Sequence, residues 1–208
     1  MPPTRLAAGA VDVGGTKIAL AVVSLEGELL AQRLLTTMDF PLAPDAVQHI
    51  GAGLADLARQ AGCRLKKVGI GCTGQMDPEN GLILHLEYLP GWSGTGLVQG
   101  LASDLGVPVY LANDAETAAL GEWWAAGGEQ LPGPLVMVTF GTGIGVGVVA
   151  QGQLWRGVGG AHPEIGHHVI ADRESAAPEA ALPPCYCGQY GCWESLASGM
   201  ALEAYAAM

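Results

Sequence analysis

The chain has 208 residues, of which 50% are hydrophobic and 32 are glycine, so it can bury one sizeable core or two modest lobes. The excess of 20 acidic over 9 basic residues gives a formal net charge of -11, which argues against nucleic acid as a partner because that affinity comes from clustered Lys and Arg. No uninterrupted apolar run reaches about 18 residues, and the start lacks the pattern of a signal peptide, so we expect a cytoplasmic protein with no membrane partner.

The first 72 residues predict strands around one helix. Apolar runs separated by the turns GGT and EGE predict a three-stranded meander at 7–13, 17–24 and 28–36. A helix is expected at about 45–61, where apolar residues recur at helical spacing after a Pro-Asp pair. The run KKVGIGC at 66–72 then predicts a buried strand.

The next segment, from Thr73 to Gly96, is rich in loop-forming residues. It leads into a helix predicted at about 95–105 and a strand at 107–112. A third helix is expected from Asn113-Asp114 to about residue 126, and its end is followed by the linker composition GGEQLPGP.

A second β-unit begins after this linker. The stretch LVMVTFGTGIGVGVVAQGQLW at 135–155 repeats the strand, glycine turn and strand of residues 10–30. Two such units indicate an α/β protein with two related lobes, each directing a backbone loop at a shared cleft. We place the lobes at residues 1–112 and 113–208.

Both glycine turns could bind an anion, because glycine lets the backbone approach closely and its exposed N–H groups can point at phosphate oxygens. The first turn, DVGGTK at 12–17, also offers an acid, a hydroxyl and a lysine. Each turn taken singly is more often just a simple hairpin. Neither fits the spacing of a Walker or a Rossmann loop, so those two nucleotide sites are not expected.

Asn113 and Asp114 stand where an apolar strand ends and a helix begins. Both residue types favour helix N-caps, because their oxygens accept hydrogen bonds from free N–H groups. An aspartate at this place could instead accept a proton from a hydroxyl, and an asparagine could orient a polyol by donating and accepting at once. The spacing leaves both interpretations open.

Three of the five cysteines lie close together near the end of the chain. They form a C-x-C-x4-C motif at Cys185, Cys187 and Cys192. In a reducing compartment this spacing indicates metal ligands rather than a disulfide, and one histidine from HPEIGHHV at 162–169 would complete a tetrahedral Cys3His zinc site. We expect the thiols to anchor the segment that carries His167 and so to fix the carboxylates of Glu164 and Glu194.

The ordered motifs DVGGT, ANDAETAALGE, FGTGIGVGVV, EIGH and CYCGQYGCWE resemble those of the ROK family (repressors, open reading frames, sugar kinases), and its glucokinase-like members most closely. The resemblance extends from about residue 9 to residue 199. It implies the actin/hexokinase-like (ribonuclease H-like) two-lobe α/β fold, with the second lobe truncated at its C-terminus. It also implies ATP-dependent phosphorylation of a hexose, with glucose as the first expectation.

The resemblance further implies a function for each motif residue. Asp114 would be the general base, and the hexose would be held by Asn113, Asp114, Glu164, His167 and Glu194. ATP and Mg2+ would be bound through the two glycine turns, at Asp12, Gly14, Gly15, Thr16 and Lys17 and at Gly141, Thr142 and Gly143. Structural zinc would be bound by His167, Cys185, Cys187 and Cys192. A homodimer is one assembly that the resemblance allows.

Two alternatives to a kinase follow from the same sequence. One is a non-catalytic, sugar-binding or regulatory ROK-type protein that lacks a complete nucleotide pocket. The other, a ROK-type repressor, is disfavoured, because the first glycine turn begins at residue 12, which leaves no room for a helix-turn-helix before it, and because the net charge is acidic.

Overall fold

The computed structural model of the protein describes residues 5–86, 89–171 and 182–207. The chain forms two compact units. Unit 1 comprises Met1–Thr117 with Gly159–Ala161, and unit 2 comprises Ala118–Val158 with His162–Met208. The lobe boundary that we placed between residues 112 and 113 stays a prediction. Among the helices of the described ranges, none is both long enough and apolar enough to cross a membrane.

Unit 1 contains a five-stranded sheet with helices and a short hairpin. Its elements are β1 (Arg5–Val13), β2 (Lys17–Ser24), β3 (Leu29–Thr36), α1 (Ala43–Gln60), β4 (Cys63–Cys72), β5 (Gln75–Asp77), β6 (Leu82–His85), α2 (Leu97–Leu105), β7 (Val109–Asn113) and the start of α3 (Asp114–Ala125). The sheet order is β3-β2-β1-β4-β7, with β1 antiparallel to β2 and parallel to β4. β5 and β6 form a separate two-stranded sheet.

The core of unit 1 lies between the sheet and α1. Alternation along β2 buries Ile18 and Leu20 completely, while α1 contributes the fully buried Ile50 and Leu54. At Gly53 the helix approaches the sheet so closely that an added Cβ would lie 2.6 Å from Leu20 Cδ1. A side chain at this position would therefore push the helix away from the sheet.

The parallel pairing of β1, β4 and β7 brings three strand ends to one edge of the sheet. Asp12 pairs with Gly71, and Cys72 pairs with Asn113. The residues that follow these strands therefore lie at the carboxyl edge, which is where open α/β sheets bind ligands.

Unit 2 contains the rest of α3, a smaller antiparallel sheet and two short helices. Its elements are β8 (Leu135–Phe140), β9 (Ile144–Ala150), β10 (Gln153–Leu154), α4 (Trp193–Ala197) and α5 (Gly199–Ala206). β9 lies between β8 and β10. The repeated scheme of strand, glycine turn and strand is thus present in both units, as the sequence predicted.

Candidate functional site

The first glycine turn joins β1 to β2 and is held from one side. The N–H of Gly14 donates to the carbonyl of Lys17 at 2.9 Å, and the hydroxyl of the buried Thr37 donates to the carbonyl of Gly14 at 2.9 Å. Within residues 5–86, 89–171 and 182–207, no hydrogen bond uses the N–H groups of Gly15 and Thr16. Two such N–H groups in one turn are able to bind an anion.

α3 begins with a reciprocal cap directly after β7. Asn113 Oδ1 accepts hydrogen bonds from the N–H groups of Ala115 at 2.9 Å and Glu116 at 3.4 Å. In return, Glu116 Oε2 accepts from the N–H of Asn113 at 3.1 Å. This capping box satisfies donors that a helix N-terminus leaves free. Asn113 is therefore an N-cap, and its binding of a sugar stays a prediction.

Asp114 occupies the first turn of α3 and is exposed. Its Oδ1 accepts from the N–H of Ala115 at 2.9 Å. Asn113 and Glu116 form the reciprocal cap, and the Asp114 carboxylate adds one further acceptor in the first turn. Its function as a base stays a prediction.

Two carboxylates repel each other at the carboxyl edge of the parallel strands. Partial burial raises the pKa of Asp12, and the charge of Asp114 raises it further. Burial also raises the pKa of the Cys72 thiol to about 12, with smaller contributions from Asp114 and Asp12. A divalent cation bound at this edge would favour the ionised forms and so offset these shifts.

The second glycine turn joins β8 to β9, and the side chain of Glu194 binds to it. The N–H of Ile144 donates to Glu194 Oε2 at 2.7 Å, and the N–H of Gly141 donates to the carbonyl of Gly143 at 3.0 Å. A Cβ at Gly143 would overlap the Glu194 carboxylate. Glu194, predicted to hold a sugar, and the turn, predicted to hold phosphate, therefore meet at one point of unit 2.

Glu164 is paired with two histidines. Its Oε1 lies 3.0 Å from His162 Nε2, and its Oε2 lies 3.8 Å from His167 Nε2. The hydrogen bond from His162 lowers the pKa of Glu164, and the charges of both histidines act in the same direction against partial burial. Glu164 is therefore ionised at neutral pH and can only accept hydrogen bonds there.

The four predicted metal ligands lie together in unit 2. Donor atoms of His167, Cys185, Cys187 and Cys192 are all within 4.8 Å of one another. Cys185 Sγ is 3.3 Å from His167 Nδ1, and Cys187 Sγ is 3.7 Å from Cys192 Sγ. A tetrahedral zinc ion with ordinary bond lengths needs donor separations of about 3.5 to 3.8 Å. The donor set thus fits zinc, and the separation of Cys187 and Cys192 matches this geometry, whereas that of Cys185 and His167 is slightly shorter.

Backbone pairing holds the thiol segment against the segment that follows His167. Val169 forms an antiparallel bridge with Cys192, and the N–H of Ile170 donates to the carbonyl of Gly191 at 2.9 Å. The N–H of Trp193 donates to the carbonyl of His168 at 2.9 Å. Two stretches far apart in sequence therefore present their ligands to the same point.

The Cys192 thiol resists ionisation. Burial, followed by hydrogen bonding with Cys187 and Cys185, raises the pKa of the Cys192 thiol to about 12. A metal ion binds thiolate rather than thiol, so occupation of the cluster would release protons and reverse this shift.

The sequence of residues 8–208 matches the pattern of the ROK family. A glucokinase of Thermotoga maritima is 34% identical over 205 residues, which cover 99% of this chain and 61% of that protein. The chain belongs to the ROK family. Its fold matches the ROK hexokinase of Thermus thermophilus with a TM-score of 0.81 at 34% identity, over 96% of this chain and 63% of that one.

A second solved structure of the ROK family carries ligands. The ROK glucokinase of Streptomyces griseus, described in complex with glucose and AMPPNP, matches with a TM-score of 0.74 at 35% identity. The match covers 96% of this chain and 60% of that one. The present chain thus spans about three fifths of the length of these ROK relatives.

Three residues in or near the ROK motifs were not predicted from the sequence to have a structural function. Glu116 belongs to the capping box, and the spacing N-x-x-E from Asn113 would have revealed it. Thr37 anchors the first glycine turn across 23 positions, and Tyr186 contacts His167 across 19. The last two contacts join residues far apart in sequence, so no local pattern predicts them.

Proposed function

We propose that this ROK chain transfers the γ-phosphoryl group of ATP to a hydroxyl of a hexose, with glucose as the first substrate to test. The observation that carries the proposal is the hydrogen bond from Ile144 N–H to Glu194 Oε2 at 2.7 Å. It joins a residue predicted to hold the sugar to a turn predicted to hold phosphate. Phosphoryl transfer requires these two reactants to be adjacent, because catalysis here consists mainly of positioning and charge neutralisation.

In this proposal Asp114 is the general base. Its carboxylate takes the proton of the attacking hydroxyl, the hydroxyl oxygen forms a bond to the γ-phosphorus, and the bond from that phosphorus to the bridging oxygen breaks to release ADP. A base of this kind contributes about 10²- to 10⁴-fold to the rate. Its exposure supports this function, as does the reciprocal cap of Asn113 and Glu116, which satisfies the helix N-terminus with other side chains.

The glycine turns would bind the phosphates of ATP in the proposed reaction. Within the described ranges, no hydrogen bond uses the N–H groups of Thr142 and Gly143 in the second turn, as for Gly15 and Thr16 in the first. Asp12 would act on Mg2+ through water, and the cation would offset the burial and the Asp114 charge that raise the pKa of Asp12. Lys17 would add a positive charge beside the first turn. The sugar-binding functions of Asn113, Glu164 and His167 belong to the same proposal.

We also propose that zinc bound by the Cys3His cluster is structural. Four protein ligands leave no open position for water or substrate, so the ion would order the segment rather than take part in the reaction. Elemental analysis of the purified protein should find about one zinc per chain, and Cys187→Ser should lose it. Iron in place of zinc, or zinc retained by the variant, would contradict the proposal.

The kinase proposal is tested with purified protein, glucose and Mg-ATP. Wild type should form glucose 6-phosphate, and Asp114→Asn should form it at least about 100-fold more slowly because an amide cannot take the proton. Equal rates in the two proteins would show that Asp114 is not the general base. Failure of the wild type to form product would refute the proposed kinase activity of this chain.

The alternative function from the sequence is sugar binding without catalysis. Calorimetry separates the two functions. Binding of glucose together with binding of the ATP analogue AMPPNP supports the kinase, whereas binding of glucose alone supports the second function. Gel filtration with light scattering would show whether the chain forms the homodimer that its resemblance allows.

A further inference from the structure

Tyr186 contacts a metal-ligating histidine although it is largely exposed. It lies between Cys185 and Cys187, and 69% of its surface is accessible. Its hydroxyl is 2.8 Å from His167 Nε2, and its ring meets the imidazole edge-on, with centroids 4.8 Å apart and planes at 89°. An exposed side chain held in this way has a partner rather than a place in a core.

The two nitrogens of His167 face different neighbours. Nδ1 lies 3.3 Å from Cys185 Sγ, on the side of the thiols, and Nε2 lies 2.8 Å from the Tyr186 hydroxyl. A metal ion takes the lone pair of Nδ1, so the ring proton must then be on Nε2. That N–H needs an acceptor, and the Glu164 carboxylate at 3.8 Å is too distant for a hydrogen bond.

We propose that Tyr186 is a positioning residue of the zinc site, whose phenol oxygen accepts the Nε2 proton of His167 while no sugar is bound there and so presents Nδ1 to the metal. The proposal rests on the zinc site proposed above. A histidine that binds metal generally donates its other N–H to such a partner, which fixes the tautomer and the orientation of the ring. Here the partner comes from the same C-x-C segment that supplies two of the thiolates, so one segment would bind the metal directly and also orient the fourth ligand.

The test uses two substitutions at the same position. Tyr186→Phe keeps the edge-on ring and removes the hydroxyl, whereas Tyr186→Ala removes both. Tyr205→Phe, in α5, is a matched control for loss of a phenol hydroxyl elsewhere in unit 2. Zinc affinity of each protein is measured by competition with a chromophoric chelator, and the visible spectrum of the Co2+-substituted protein reports the ligand geometry.

We expect Tyr186→Phe to bind zinc about 10-fold more weakly than wild type, because loss of such a partner lowers metal affinity by about 10- to 100-fold. Tyr186→Ala should lose at least as much, and Tyr205→Phe should match wild type. The Co2+ bands of Tyr186→Phe should shift while the thiolate charge-transfer absorption remains, since the three thiolates still bind and only the histidine is released from its orientation.

Three results would overturn the proposal in different ways. Equal zinc affinity and equal Co2+ spectra in wild type and Tyr186→Phe would show that the hydroxyl has no function. A loss in Tyr186→Ala alone would assign the effect to ring packing. Absence of zinc binding by wild type would refute the metal site itself, and the function of Tyr186 with it.

Discussion

Replacement of Asn113 separates the two functions that its side chain can serve. Asn113→Ala removes the Oδ1 acceptor for the N–H groups of Ala115 and Glu116, while the reciprocal bond from its own N–H to Glu116 Oε2 can persist. Loss of an N-cap acceptor costs about 1 kcal/mol, within a range of about 0.5 to 2. The bond from Nδ2 to the Gly74 carbonyl is 3.5 Å long and adds little. We therefore expect the free energy of unfolding to fall by about 1 kcal/mol.

Asn113→Ser is the matched variant, because serine keeps an acceptor oxygen for the cap but has no amide donor. Its stability should be close to that of wild type, since asparagine and serine are similar N-caps. Its affinity for glucose should nevertheless fall as much as that of Asn113→Ala, because both variants lose the group proposed to donate to a sugar hydroxyl. Urea unfolding followed by fluorescence of the 5 tryptophans measures stability, and calorimetry measures glucose binding.

The cap and the sugar contact of Asn113 are tested by separate measurements. An Asn113→Ala protein that unfolds at the same urea concentration as wild type, with the same slope, would show that the cap contributes nothing. An Asn113→Ser protein that binds glucose as tightly as wild type would leave Asn113 as a cap alone. The two measurements are independent, so either function can fail while the other stands.

Two further substitutions test the electrostatics and the turn. Asp12→Asn should stabilise the protein at pH 7, because folding raises the pKa of Asp12 above its ordinary value of 3.8 and the ionised form is disfavoured in the folded state. The gain should shrink as the pH falls towards 3.8, and identical melting temperatures at pH 7 would contradict it. Gly143→Ala should displace the Glu194 carboxylate and speed amide exchange at Ile144, whereas Gly141→Ala, whose added Cβ meets nothing within 4 Å, should leave that exchange unchanged. Equal exchange in both glycine variants would mean that Glu194 does not protect the Ile144 amide.

The sequence predicted the elements with a strong and sustained pattern. The meander and the helix expected at 45–61 agree with β1 to β3 and α1 within two residues, because each repeats its period several times. The strand expected at 66–72 begins earlier, at Cys63. The hairpin of β5 and β6 was missed altogether, since strands of 3 and 4 residues are too short to show alternation.

The parts of the candidate site that depend on residues within one sequence motif were predictable. The C-x-C-x4-C spacing restricts where three thiols can go, and the structure brings them to His167. The cap at Asn113 was predictable for the same reason, as it depends on residues within three positions. By contrast, the bond between Glu194 and Ile144 spans 50 positions and requires the packing of α4 on the second glycine turn, which no local pattern encodes.

The packing of α4 gives a structural zinc ion a physical route to the proposed chemistry. Cys192 immediately precedes α4, whose first turn carries Glu194, and the Glu194 carboxylate binds the N–H of Ile144. At the other end of the same helical segment, the N–H of Gly199 donates to the carbonyl of Gly141 at 2.8 Å. Both sides of the glycine turn are thus attached to the segment that begins at a metal ligand. Because N–H groups favour an anion most when they are held in place beforehand, an ion that orders Cys192 would act on the phosphate turn without touching phosphate, sugar or water.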